Sequence, residues 1–251
     1  MQKELKSPRT DSRNIIDPLL SVLLAPVCAA CDHPLDHPTR GPVCEACWQA
    51  ITPFTPPLCE VCGDPRPSWR TSGLEFNTCP RCRDRHHLVS HGRAIGEYDG
   101  PLRAIIHALK YSGHRSLARS LARLMIVAGA RVLQEADLAV PVPLHRARKR
   151  ARGFNQAAEI AKHLTIPAVD ALKRTRATAS QTDLPAEARH ANVRNAFALR
   201  RRVDINGRVI VLVDDVSTTG ATLEACARVL LDAGAREVRA LTAARVVSQP
   251  R

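Results

Sequence analysis

The sequence predicts an α/β protein: an open, parallel sheet with its functional loops at strand C-termini, preceded by a small metal-held domain. Three observations carry this prediction. Residues 209–213 are five apolar residues in a row, and they run into Asp214-Asp215 and a hydroxyl-rich loop. From about residue 94 onward, short apolar runs alternate with stretches of helical periodicity. Eight of the nine cysteines lie between 28 and 82, in four Cys-x-x-Cys pairs. A continuous apolar run bounded by turn signals reads as a strand buried on both faces, which is the habit of parallel sheets with helical crossovers.

The cysteine pairs are Cys28/Cys31, Cys44/Cys47, Cys59/Cys62 and Cys79/Cys82. Twelve residues separate the first two pairs and sixteen the last two. A Cys-x-x-Cys knuckle aims two thiolates at one ion, so two knuckles at such an interval make a tetrahedral Cys₄ zinc ribbon. Four knuckles imply two structural zinc ions. Sequential pairing is the first expectation, with interleaved pairing left open. The competing reading is a disulfide framework, which belongs to secreted chains; no convincing leader precedes these cysteines. A redox role is weaker, since the knuckles do not stand between a strand and a helix. His33, His37, His86 and His87 lie nearby and are expected at the surface rather than as ligands. The segment is rich in Pro and poor in large apolar residues, so folding there depends on metal. Cys226 stands apart, in step with Leu223, Ala227 and Leu230, and reads as a buried small residue.

Composition narrows the function. Of 251 residues, 3% are aromatic, so the core is aliphatic, and the formal net charge is +13. That surplus points to a phosphorylated substrate, a polyanionic partner, or both. No stretch approaches the roughly 20 apolar residues of a membrane helix. Residues 15–27 are apolar but short and broken by Asp17 and Pro18, and are expected as an amphipathic segment packing on the next domain. The expected location is cytoplasmic, without membrane insertion.

The elements follow in order. Residues 94–98 read as a strand, and 101–110 and 116–134 as helices. Leu102, Ile105, Ile106 and Leu109 share one face of the first, and Leu117, Leu121, Leu124 and Val132 one face of the second. A strand at 136–143 ends at Pro141 and Pro143. After it, Arg146, Arg148, Lys149, Arg150 and Arg152 read as a basic loop at a strand C-terminus, suited to pyrophosphate or a nucleic-acid backbone. A helix at 155–164 and a strand at 166–172 come next. Residues 173–197, polar and basic, read as a hood over a cleft, with a short helix at 185–192. The last strand is 237–247, with Gly234 capping the helix before it.

The strand at 209–213, its acids and the loop Ser217-Thr-Thr-Gly-Ala-Thr222 form a phosphate cradle. Backbone N–H groups and the positive end of a helix dipole face one anion, and Gly220 admits close approach. Paired aspartates accept hydrogen bonds from sugar hydroxyls or hold hydrated Mg²⁺. Together they describe a site for a phosphorylated sugar.

The segment Val209–Thr222 resembles the phosphoribosyl-pyrophosphate (PRPP) motif of type I phosphoribosyltransferases. The wider pattern is similar to the ComF/GntX family. It comprises the four knuckles, Tyr98-Asp-Gly-Pro, Leu109-Lys-Tyr-x-Gly113, Pro141-Val-Pro-Leu-His, Arg152-Gly-Phe-Asn-Gln156, Gln181, Arg189-x-x-Asn192-Val and the PRPP motif. The resemblance implies a type I phosphoribosyltransferase-like parallel sheet with an N-terminal double zinc-ribbon domain. The division is an extension at 1–25, the ribbons at 26–90 and the phosphoribosyltransferase-like domain at 91–251. It implies that Asp214 and Asp215 contact the ribose and, less directly, Mg²⁺. Val216, Ser217, Thr218, Thr219, Gly220, Ala221 and Thr222 then hold the 5′-phosphate. Arg148, Lys149, Arg150 and Arg152 fall on the pyrophosphate side, and Lys110 reaches the same anion. Members are associated with DNA uptake in natural transformation or with use of external DNA. The implied function is binding of PRPP or ribose 5-phosphate, with phosphoribosyl transfer if active. The alternative is a non-catalytic single-stranded DNA-binding or regulatory module that keeps the pocket. Single-stranded DNA and the uptake machinery are the implied partners.

Overall fold

The computed structural model describes residues 17, 24–66, 77–83, 85–175, 196–200 and 203–247. Its centre is a four-stranded parallel sheet of β1 (Gly92–Glu97), β2 (Leu138–Pro141), β5 (Val209–Ser217) and β6 (Glu237–Arg245), in the order β1-β6-β5-β2. A separate antiparallel pair joins β3 (Leu172–Arg174) to β4 (Phe197–Leu199). The helices in the knuckles are α1 (Glu45–Gln49) and α2 (Pro80–Arg83). Those around the sheet are α3 (Gly100–Tyr111), α4 (Leu117–Ala128), α5 (Ala130–Leu133), α6 (Arg146–Arg152), α7 (Gln156–Ala161) and α8 (Ala221–Asp232). Among the described residues, no helix is long and apolar enough to cross a membrane.

Both sheet faces are covered, as parallel strands require. On one face Leu102, Ile105, Ile106 and Leu109 of α3 pack with Leu121 and Met125 of α4, Ile160 of α7, and Val211 and Val213. On the other, Leu223, Cys226, Ala227 and Leu230 of α8 meet Ile210, Leu212, Leu172 and Phe197. Each fully buried Ile or Leu contributes about 1.5–3 kcal/mol relative to exposure. Cys226 is completely buried, as its helical register predicts.

The cysteine-rich region is built into this core. Cys28, Leu35, Val43, Cys47 and Ile51 belong to the same apolar cluster as α3. The chain then crosses the open edge of β1: Pro53 bridges Gly96, and Phe54 N–H donates to the Ile95 carbonyl at 2.8 Å. This covers a strand edge that would otherwise present unpaired backbone groups. At Gly63, where φ is +75°, an added Cβ would lie 2.6 Å from the Gly92 carbonyl oxygen. The backbone of the third knuckle thus rests directly on the start of β1.

Several boundaries differ from expectation. The 116–134 helix is broken at Gly129, where an added Cβ would collide with the Leu241 side chain and lie 2.9 Å from the Met125 carbonyl oxygen. The expected strand at 166–172 is a single bridge, Ala139 with Ala168. The regular strand starts at Leu172 and pairs outside the main sheet. The basic stretch 146–152 is a helix, not a loop. The His145 ring accepts from Ala147 N–H at 3.3 Å, and Gly153, at φ +76°, ends the helix in the left-handed region. Arg, Lys and Ala are strong helix formers, and cations in the last turn suit the helix dipole. β5 continues through Asp214, Asp215, Val216 and Ser217, because β6 pairs with it as far as Ser217–Arg245. The hood positions 176–195, including the helix expected at 185–192, lie outside the described residues, as do 15–16 and 18–23 of the amphipathic segment.

Candidate functional site

The cysteines gather in two sets, Cys28/Cys31/Cys44/Cys47 and Cys59/Cys62/Cys79/Cys82, each with its sulfurs within 4.8 Å of one another. Pairing is sequential. Sulfur separations are 3.9 Å for Cys28–Cys47, 3.8 Å for Cys31–Cys44 and 3.7 Å for Cys62–Cys79. A tetrahedron with Zn–S bonds of about 2.3 Å has edges of about 3.8 Å, so both sets fit zinc. Backbone N–H groups support the thiolates: Cys44 N–H reaches Cys28 Sγ at 3.3 Å, and Cys79 N–H reaches Cys59 Sγ at 3.3 Å. Neither set contains a histidine. His33, His37 and His86 are exposed, but His87 is wedged against α8, with Nδ1 3.3 Å from Glu224.

The acid pair sits at the C-terminal end of β5. Side chains alternate across a strand, so Asp214 and Asp215 face opposite sides of the sheet. Asp215 meets Lys110 Nζ of α3 at 2.9 Å, with both side chains about nine-tenths buried. Lys110 also lies 5.7 Å from the centre of the Tyr98 ring. Asp214 lies within the electrostatic reach of Arg174 of β3. One of its carboxylate oxygens accepts the Asp215 N–H at 2.8 Å. Burial, then the charge of Asp215, pushes the Asp214 carboxyl up to about 7. One acid therefore has its counter-charge in place, while the other holds its negative charge at a cost.

Ser217 closes the strand and is buried, with its hydroxyl accepting from Arg245 Nη1 at 3.1 Å. Thr218 and Thr219 make the turn, and the Ala221 N–H donates to Thr219 Oγ1 at 3.4 Å. Gly220 stands at the head of α8 with φ +80° and ψ 0°. An added Cβ there meets no protein atom within 4 Å, so glycine serves the left-handed turn rather than close packing of the chain on itself. Ala221 and Thr222 open the 12-residue helix, whose first-turn N–H groups and dipole favour an anion. A cavity of about 470 Å³ borders this turn, between Thr219, Gly220 and Leu223 on one side and Arg81, Arg85 and His87 on the other.

The basic helix is split in its contacts. Arg152 is fixed: one guanidinium nitrogen donates to Tyr111 Oη at 3.0 Å, another to Gln156 Oε1 at 3.2 Å. Arg148 lies close enough to Arg174 to help lower that guanidinium's pKa, after burial. Lys149 and Arg150, with Arg146 and Gly153, line a second cavity of about 530 Å³. The C-terminal turn of α3 thus bridges the two halves, Lys110 to the acids and Tyr111 to the basic helix. Sequence reasoning missed Asp64 and Arg245 as members of this neighbourhood, while Arg174, read as part of the hood over the cleft, lies in β3 within electrostatic reach of Asp214. A charged residue after the mostly apolar run 240–244 was the available signal for Arg245.

Residues 19–83 match the model of the double zinc ribbon domain, and 150–250 that of the phosphoribosyl transferase domain. The chain is 35% identical over 223 residues to the DNA utilization protein YhgH of Escherichia coli (strain K12), covering 85% of this chain and 94% of that one. It is 31% identical over 222 residues to Competence protein F of Haemophilus influenzae, covering 83% and 93%. Competence protein ComFC of Bacillus subtilis is 27% identical over 202 residues, covering 76% and 79%. The chain belongs to the ComF/GntX family, in which a double zinc ribbon is joined to a phosphoribosyltransferase domain.

Proposed function

We propose that this chain binds PRPP or ribose 5-phosphate at the C-terminal end of β5 and transfers the phosphoribosyl group to an acceptor in the use or uptake of DNA. The observation that carries the reading is the joining of an acid pair to a left-handed Gly220 turn at the head of a 12-residue helix, with Lys110 drawn to Asp215. The turn and the first helical N–H groups take the 5′-phosphate. Asp214 and Asp215 accept the ribose hydroxyls. In the transfer, the bond from ribose C1 to pyrophosphate breaks, positive charge develops at C1, and the acceptor nucleophile closes on that carbon. The acid pair stabilises that charge, and Arg148, Lys149, Arg150 and Arg152 receive the departing pyrophosphate.

Among the described residues Asp214 makes no ion pair, and its raised pKa marks a carboxylate that gains from a cation. Magnesium accompanying PRPP would be held by Asp214, since Asp215 faces the other side of the sheet and is paired with Lys110, and would neutralise charge on the leaving group. The relatives' names, DNA utilization protein and Competence protein F, support the biological setting. Zinc serves structure, since all four positions of each cysteine set are filled by the chain.

The test is to incubate the pure protein with PRPP, Mg²⁺ and candidate acceptors and to measure pyrophosphate release. Acceptor-dependent release supports transfer. Binding without release supports the second reading, a sugar-phosphate sensor or single-stranded DNA-binding module. That reading rests on the exposed cations Arg146, Lys149 and Arg150 and the +13 charge. Its signature is oligonucleotide affinity that falls steeply with salt, and absence of oligonucleotide binding at moderate salt removes it.

A further inference from the structure

We infer that the second cysteine centre sets the position of the phosphate loop through a buried relay, Asp64–Arg245–Ser217, making Asp64 and Arg245 positioning residues for the sugar-phosphate site. The inference rests on the reading of that site given above. Asp64 follows the third knuckle by two residues, and its carbonyl accepts the Cys59 N–H at 2.9 Å. Its carboxylate is held by Arg81 Nη2 at 3.2 Å, and Arg81 belongs to the fourth knuckle, between Cys79 and Cys82. Both knuckles of the second centre therefore fix this one residue, the third through its backbone and the fourth through its carboxylate. The other carboxylate oxygen accepts from Arg245 Nε, and Arg245 Nη1 donates to Ser217 Oγ at 3.1 Å.

All three relay residues are buried, at 7% exposure for Asp64, 5% for Arg245 and 4% for Ser217. A buried guanidinium that loses its only carboxylate among the described residues must either stay uncompensated or swing toward solvent. If it swings out, the Ser217 hydroxyl loses its donor, and if it stays, that donor loses the contact that fixes it, in both cases at the residue where β5 becomes the loop. The knuckle cannot absorb the change by sliding. Gly63 lies against Gly92 at backbone distance, and Arg93 Nη1 donates to the Cys59 and Glu60 carbonyls at 3.3 and 3.1 Å. The second centre is thus part of the framework of the loop rather than a separate appendage.

The test uses the full zinc-loaded chain, with Asp64→Asn as the main variant and Arg245→Lys as the second. Asp137→Asn is the control. Asp137 pairs with Arg208 and caps the Val209 N–H at the opposite end of β5. Zinc per chain, hydrogen exchange of the peptide spanning 216–222, and the calorimetric affinity for ribose 5-phosphate are measured. The expected result for Asp64→Asn is wild-type zinc content, exchange faster by about tenfold and affinity weaker by about tenfold, the worth of one charge-assisted hydrogen bond. Asp137→Asn changes neither loop exchange nor affinity. If Asp64→Asn does not yield folded protein, Arg245→Lys carries the same test, with the same direction of change. Unaltered exchange at 216–222 in a folded, zinc-loaded variant overturns the relay. Faster exchange in a protein whose wild type binds no ribose 5-phosphate upholds the relay and overturns the ligand assignment.

Discussion

Replacing Asp214 by Asn keeps the shape of the side chain and removes its charge. In the folded chain, burial and the neighbouring Asp215 charge raise this carboxyl from 3.8 to about 7. The folded state therefore holds the proton more tightly than the unfolded state does. Stability from this group is fully present below about pH 4 and is lost as pH rises to about 7. Integrating between the two pKa values gives a penalty on the wild type of about 2 kcal/mol at pH 5 and about 4 kcal/mol at pH 8. Asn carries no such penalty, and any effect of its altered hydrogen bonds is common to both pH values. In urea unfolding of ligand-free protein, the stability advantage of Asp214→Asn over wild type should widen by about 2–3 kcal/mol between pH 5 and pH 8. An advantage of equal size at both pH values would refute the electrostatic account of this residue.

Three other perturbations follow from the packing. Lys110→Met strands Asp215 in a largely buried position and should cost about 3 kcal/mol in chemical denaturation at pH 7; a loss under about 1 kcal/mol means that the pair is not coupled. Gly63→Ala forces a side chain into the left-handed region and against the Gly92 carbonyl, and should lower stability by about 2 kcal/mol or more. An unchanged unfolding midpoint would show that the knuckle is not pressed on β1. Cys28→Ser removes one ligand from the first set, so metal analysis should fall from two zinc ions per chain to one. Retention of two would break the assignment of that set.

Local features of the chain were legible in its sequence because their causes are local. Knuckle spacing marked both cysteine sets, and the periodicity of Leu102, Ile105, Ile106 and Leu109 marked the buried face of α3. The run at 209–213 marked the central strand. Reading 146–152 as a loop gave too much weight to charge and too little to the helix propensity of Arg, Lys and Ala before a terminating glycine. The extent of β5 depended on its partner: only pairing with β6 carries the strand through Ser217. The Asp64–Arg245 contact joins residues 181 positions apart, and nothing in local composition announces it. The opposite orientation of the two aspartates was implicit in strand alternation once the strand was known to include them.

The central claim is that the end of β5 and the Gly220 turn hold a phosphorylated ribose. Calorimetric titration of PRPP with Mg²⁺ into wild type and into the Asp214→Asn/Asp215→Asn double variant tests it most directly. The account predicts saturable one-site binding to the wild type and its abolition in a folded double variant. Equal affinity in the two proteins, or no binding to the wild type, would contradict it.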